Sequence, residues 1–218
     1  MKKRLIVATV ALILLTTITT KQRINITKFK IKKINIENIF LLKEEDLKKL
    51  LIPINEKNLL LLRNKEIEQL LIQNTFIESF TIKKKYPDTL KIKIIEKKPI
   101  AILFEGKKKF YLSEKIELMH FKNLPNYQNL PYIFGKKEKF KILYENLFEI
   151  DFPIDLIKKY TLLESNRWDL ETINNKLIKL PLKNYNKSLK NYLVIMNKNE
   201  FKKYKVYDYR LKNQLIMK

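Results

Sequence analysis

The chain has 218 residues and a formal net charge of +23, with 45% hydrophobic and 32% charged residues. That balance fits one large folded domain or two small ones and argues against disorder. With 2 Gly, no Cys and 1 His, phosphate-cradling loops, zinc sites, thiol nucleophiles and His-based triads are poorly supplied.

The charge invites a nucleic-acid reading. However, only five of the 46 basic residues are Arg (Arg4, Arg23, Arg63, Arg167, Arg210), and base readout favours the bidentate guanidinium. The Lys are spread along the chain among many Ile and Asn, as an AT-rich genome would encode. No nucleic-acid partner is expected, and the residual field favours anionic lipid headgroups.

The chain opens on "MKKRLIVATVALILLTTITTKQR". Basic residues precede an uncharged run from Leu5 to Thr20, and Lys21 and Arg23 follow it. A helix of that length spans about 24 Å, a little short of a ~30 Å hydrocarbon core, and snorkelling of Arg4 and Lys21 closes the gap. A cleaved signal peptide would want a small-x-small site near Thr20, where only a Thr cluster stands. The reading is a retained single-pass anchor at 5–20, a tail at 1–4 and a linker at 21–28.

Next, "FKIKKINIEN" reads as a strand whose facing shifts between Phe29/Ile31 and Ile34/Ile36, as a bulge near Lys32 and Lys33 would cause. "KEEDLKKLLIP" reads as a short helix with an acidic first turn, closed by Pro53. Glu44 to Asp46 belong to that helix start rather than to a catalytic pair. "RNKEIEQLLIQNTF" reads as a second helix with Asn64 as its N-cap. "IESFTIKKKYP" is a strand, and "YPDTLKIKIIEKKPIA" is another, with Leu90, Ile92 and Ile94 inward. Pro87 fixes φ in the turn between them, Asp88 can bond nearby backbone, and Pro99 ends the run.

The order strand-helix-helix-strand-strand, with Tyr86, Pro87 and Asp88 followed by Glu96 and Pro99, resembles the POTRA module of the FtsQ/DivIB family of bacterial cell-division proteins. Later segments extend the resemblance. "FYLSEKIELMHF" is a hairpin, and Leu130, Pro131 and Gly135 match a Leu-Pro-x-x-x-Gly crossing. "RWDLETINNKLIKLP" is a hairpin with Trp168, Leu170 and Thr172 on one face. "SLKNYLVIM" is a helix, and Val206, Asp208 and Arg210 match the family's last strand motif. Ser113-Glu114-Lys115 stands where the family has an aspartate-x-x-glycine turn, and Asn174-Asn175 where it has Asn-Gly.

The expected fold is therefore α+β: an N-terminal transmembrane helix, a β-α-α-β-β POTRA domain at 29–99 and a mostly antiparallel β domain at 100–218 with helices near 140–147 and 187–196. Tyr207 and Tyr209 share a strand face and should be buried or presented together, and His120 reads as structural. Asp208 and Arg210 lie two apart on a strand, close enough to pair.

The resemblance implies a non-enzymatic, bitopic inner-membrane scaffold of the divisome, type II, with its bulk in the periplasm at the division site. It implies no cofactor and no metal. Its partners would be FtsB-like and FtsL-like coiled-coil proteins and other divisome members. One of them would add a strand along Tyr209 to Leu215, with Tyr209, Arg210, Leu211, Asn213 and Leu215 as contacts. Tyr86, Pro87, Asp88, Glu96, Pro99, Trp168 and Asp208 would be structural. The alternative is a POTRA module of outer-membrane protein transport or assembly, but neither a second Tyr-Pro-Asp copy nor a run of barrel strands is found.

Overall fold

The computed structural model describes residues 2–17, 26–211 and 213–218. The chain divides into two compact units, one of Met1–Asn38, Glu44–Leu71 and Phe80–Ile94, the other of Ile39–Lys43, Ile72–Ser79 and Ile95–Lys218.

The first unit begins with α1 (Lys2–Thr17). Leu5, Val7, Leu12 and Leu14 are each more than half exposed, so the helix leaves apolar side chains uncovered. Among the described residues no helix is long and apolar enough to cross a membrane. The expected anchor continues to residue 20, and its last three residues lie outside the described ones, as does most of the expected linker.

β1 (Lys33–Glu37) starts later than the sequence pattern suggests. Ile26–Phe29 form a 3-10 turn, Lys30 bridges Asn58, and the Ile31 N–H donates to the Lys57 carbonyl at 3.0 Å. The 57–58 loop takes these backbone groups, so the apparent change of facing is the end of a turn and not a bulge. α2 (Glu44–Leu50) buries Leu47 and carries an exposed Glu44–Lys48 pair at 2.8 Å. α3 (Asn64–Leu71) buries Ile67 and Leu71. Asn64 is the first helical residue of α3 and not its cap. The start is held from inside the helix, where Glu66 Oε1 accepts the Arg63 N–H at 3.3 Å, one half of a capping box.

β2 (Ile77–Lys85) and β3 (Thr89–Glu96) complete a three-stranded sheet in the order β1-β3-β2. β1 runs parallel to β3 from Lys33 opposite Thr89. The Tyr-Pro-Asp turn sets that register. The Asp88 carbonyl accepts the Lys32 and Lys33 N–H groups at 2.9 and 3.3 Å, which starts β1 beside the first residue of β3. Alternation then buries Leu90, Ile92 and Ile94 completely.

The second unit is built on a nine-stranded sheet. Its strands are β4 (Pro99–Glu105), β5 (Lys108–Ser113), β6 (Leu118–His120), β7 (Tyr132–Phe134), β8 (Ile157–Leu162), β9 (Trp168–Thr172), β10 (Leu177–Lys179), β11 (Val206–Asp208) and β12 (Ile216–Met217). They lie in the order β12-β11-β10-β9-β8-β7-β4-β5-β6. The β10–β11, β4–β7 and β7–β8 pairs are parallel, and the others are antiparallel. α4 (Lys137–Glu149) and α5 (Tyr185–Ile195) extend the two expected helices by two or three residues at three ends, and α5 stops one residue short at the fourth. Phe140, Leu143 and Leu147 of α4 and Leu189 and Tyr192 of α5 join Leu103, Ile133, Tyr160, Leu170, Ile178 and Tyr207 of the sheet in one core.

Three local devices fix this unit. The Glu96 carboxylate accepts three consecutive N–H groups, from Phe40 (3.1 Å), Leu41 (2.7 Å) and Leu42 (2.9 Å), a backbone nest closed by an anion. Ser113 to Glu117 turn β5 into β6, with the Ile116 N–H on the Ser113 carbonyl at 2.8 Å. Ile116 sits in this turn at φ 57, a left-handed conformation that a β-branched residue rarely adopts. Gly135 makes the third: a Cβ there would meet Leu162 Cβ at 2.8 Å and Trp168 at 3.1 Å.

Glu96→Ala is expected to lower stability by about 1–3 kcal/mol, because three amides lose their acceptor. Glu114→Ala, which breaks only an exposed pair with Lys98, should change little. Chemical denaturation of both variants checks the contrast. Gly135→Ala should cost about 1–3 kcal/mol through overpacking, read as a lower thermal midpoint than wild type.

Candidate functional site

The C-terminal rim of the large sheet gathers most of the expected contact residues. α5 carries the chain from β10 to a parallel β11, and the Tyr209 N–H extends the ladder by donating to the Lys179 carbonyl at 2.9 Å. Tyr207 and Tyr209 are buried together, as the shared facing requires. The Tyr207 ring meets Tyr192 edge-on at 5.0 Å, and its hydroxyl donates to the Phe201 carbonyl at 2.7 Å. The Tyr209 hydroxyl donates to Asn191 Oδ1 at 3.0 Å. Burial pushes both the Tyr192 phenol, up to about 12, and the Tyr209 phenol above the ordinary tyrosine range. These rings anchor β11 on α5.

The described residues between 209 and 215 do not form the expected strand. Asp208 ends β11, Asn213 sits at φ 58, and the Gln214 N–H donates to the Leu211 carbonyl at 3.2 Å. The segment is a turn, and the chain folds back on itself. β12 then pairs antiparallel with β11, Met217 opposite Tyr207 and Ile216 opposite Asp208. Val206 and Lys218 exchange both of their N–H···O bonds at 3.0 and 3.1 Å. Since hydrogen-bonded and non-bonded pairs alternate, the Met217 main chain faces away from β11, toward the open edge. The free edge of the sheet is therefore β12 and not the stretch from Tyr209 to Leu215. The physical cause is the turn: left-handed backbone at Asn213 reverses the chain before a strand can extend.

The expected contact residues accordingly divide. Leu211 is about half exposed, and Leu215 packs against the core. Tyr209 offers no side-chain surface. Arg210 folds back onto Asp208, with Nε at 2.8 and 3.0 Å from the two carboxylate oxygens and the Arg210 N–H at 3.1 Å from Oδ1. The side-chain hydrogen bond from Arg210, more than any other influence, holds the Asp208 carboxyl below the usual carboxylate range. On the same sheet face Lys179 stands between Asp169 of β9 and Asp208 of β11. Asp169 Oδ1 is buried with no partner among the described residues, and burial raises its pKa.

Elsewhere, Trp168 is buried against Phe140 at 6.3 Å. The Thr75 hydroxyl accepts the His120 N–H at 2.9 Å and lies 3.1 Å from His120 Nδ1. The sequence signals missed the three amides held by Glu96 and the short β12. An apolar "LIM" near the end was the available clue to β12.

The POTRA domain, FtsQ-type, family model matches residues 29–97. Curated relatives include the cell division protein FtsQ of Rickettsia conorii, 29% identical over 155 residues, covering 65% of this chain and 54% of the relative. The cell division protein FtsQ of Rickettsia bellii is 28% identical over 192 residues, covering 85% of this chain and 71% of the relative. The chain thus spans about half the length of several curated relatives that it matches. Among solved structures, the extracytoplasmic domain of the trans isomer of the cell division protein DivIB from Geobacillus stearothermophilus aligns at a TM-score of 0.34 and 15% identity, over 47% of this chain and 92% of that one.

Asp208 gives a pH test. Its folded pKa lies below the unfolded one, so its stabilisation is present above the ordinary carboxylate range, about 4, and is lost as pH falls through the depressed value. Asp208→Asn should therefore be less stable than wild type at pH 7, and urea midpoints of the two should converge in acid. A gap independent of pH would refute the assignment.

Proposed function

We propose that this chain, a member of the FtsQ/DivIB family, is a bitopic scaffold of the bacterial divisome that binds coiled-coil partners by strand addition at its C-terminal edge. The observation that carries the reading is the free edge of β12, backed by a continuous sheet. An incoming strand would take the outward main-chain groups of Met217, while exposed Ile216 would set side-chain choice. Arg210, Leu211 and Asn213 would then flank the docked strand as the turn beside it, and FtsB-like and FtsL-like proteins are the expected occupants. Strand addition would also cover an edge that is otherwise open to unwanted pairing.

The proposal places the apolar run Leu5 to Thr20 in the inner membrane as a single type II span, with the larger part of the chain in the periplasm at the division site. Its support is the character of α1, apolar and exposed around its circumference, as a helix facing lipid would be.

The test is co-purification from detergent-solubilised membranes with the full chain as bait, compared with Met217→Pro and Ile173→Lys. Proline removes one outward donor without touching a β11 bond, whereas Ile173 is exposed away from this edge. A small single-pass coiled-coil division protein should accompany wild type and Ile173→Lys and fall by about tenfold or more with Met217→Pro, the scale of about 1.4 kcal/mol. Equal recovery on all three baits would move the site away from β12. Recovery of no division protein on any bait would refute the scaffold role.

A further inference from the structure

A second surface of the large unit has the features of a built site, and it lies away from the C-terminal edge. A cleft of about 540 Å³ opens between α4, the start of β4 and the segments around Pro131 and Ile154. Its volume lies in the range of ligand sites. Phe140 and Phe152 form buried walls, and Phe148 stands at the mouth 71% exposed. A large, uncovered aromatic beside an apolar cleft is the pattern of an interaction anchor.

Two polar features distinguish the cleft from a packing defect. Tyr160 lines it and is fully buried, yet its hydroxyl has no hydrogen-bond partner among the described residues. A buried hydroxyl without a partner is costly, and such a group is tolerated where a ligand or partner satisfies it. Burial, with Tyr144 and Asp155 nearby, keeps that phenol protonated, so it can both donate and accept. The second feature is the charge of the lining. Asp151 and Asp155 line the cleft, and the ion pairs found among the described residues include neither. The one lysine in the lining, Lys98, is engaged by Glu114 at 3.6 Å. On a chain of net charge +23, this mouth is locally acidic.

The backbone fixes the acidic rim. α4 closes with the Asp151 N–H on the Phe148 carbonyl at 3.1 Å and the Phe152 N–H on the Leu147 carbonyl at 2.9 Å. That is a Schellman closure with Asp151 at φ 53 in the position usually given to glycine. Phe148, Asp151 and Phe152 are thereby held in fixed relation, which limits the entropy lost on binding.

We propose that this cleft binds a short basic segment of a partner protein, seating one apolar side chain among Phe140, Phe148 and Phe152 with a flanking Lys or Arg on Asp151 and Asp155. Seating of the segment opens the enclosed Tyr160 hydroxyl to the segment's polar backbone, which completes its hydrogen bonding. Charge selects the occupant: an acidic segment would meet two carboxylates, and a neutral one would leave them unmatched.

The test uses the full chain in detergent micelles with labelled isoleucine methyls, because Ile100, Ile154 and Ile157 line the cleft. The probes are the capped tripeptides Lys-Phe-Lys, Glu-Phe-Glu and Lys-Gly-Lys, each titrated to about 10 mM, which suits dissociation constants near 1 mM. Lys-Phe-Lys should shift these three methyls saturably, with the other two peptides at least about tenfold weaker. The double variant Asp151→Asn/Asp155→Asn should weaken Lys-Phe-Lys by a similar factor while methyls elsewhere keep their positions.

Tyr160→Phe provides a readout of opposite sign. Removing the unmatched hydroxyl should raise the thermal midpoint of the free chain and weaken the peptide, a trade of binding for stability. Equal binding of Glu-Phe-Glu, unchanged affinity in the double variant, or no saturable shift at the cleft would overturn the proposal. Peptide affinity retained in full by Tyr160→Phe would overturn the role given to its hydroxyl.

Discussion

A single carboxylate ties together two chain segments of the second unit that lie far apart in sequence. Glu96 stands at the end of β3 and accepts the N–H groups of Phe40, Leu41 and Leu42. Those three amides lie in the connection from β1 to α2, where neither strand nor helix satisfies them. The carboxylate does so with both oxygens. The Lys122 ammonium adds a bond to the Leu41 carbonyl at 2.9 Å and sits 4.2 Å from the centre of the Phe76 ring. Pro99, three residues beyond Glu96, then opens β4. The Glu-x-x-Pro signature is thus an anion in a backbone nest followed by the first residue of a new sheet.

Much of the architecture was legible because it depends on period. Alternation exposed β3 through Leu90, Ile92 and Ile94, and it exposed β9 through Trp168, Leu170 and Thr172, all of them buried. Helical spacing at Leu189 and Tyr192 identified α5 in the same way. What pattern could not supply was the backbone's choice of partner. The residues from Phe29 to Ile31 read as strand, yet their amides and carbonyls pair with the 57–59 loop. Asn64 has the chemistry of a cap, but Glu66 supplies the cap instead.

The rim of the sheet was legible in part for the same reason. The Asp208–Arg210 pairing was expected from their spacing of two, and it forms although Arg210 lies just past the end of β11. The location of the edge depends on a chain reversal at Asn213 that no alternation announces. Asn at φ > 0 recurs at positions 38, 166, 175, 184 and 213. In a chain with 2 Gly, the short polar side chain that tolerates this conformation takes over the work of glycine, so turns are written in Asn. A reader looking for glycine passes over them.

The parallel pairing of β10 with β11 carries a consequence for the order of assembly. β11 reaches β10 only through the α5 crossover, a non-local closure that is slow beside a hairpin. Among the described residues β12 pairs only with β11. In chain order these segments follow β4 to β9, which emerge earlier and can fold first. The terminal edge therefore exists only on a molecule whose sheet is already complete, and a nascent or misfolded copy has no such edge to offer. A partner docked at this edge, as proposed, would meet only molecules whose sheet had already formed up to β11.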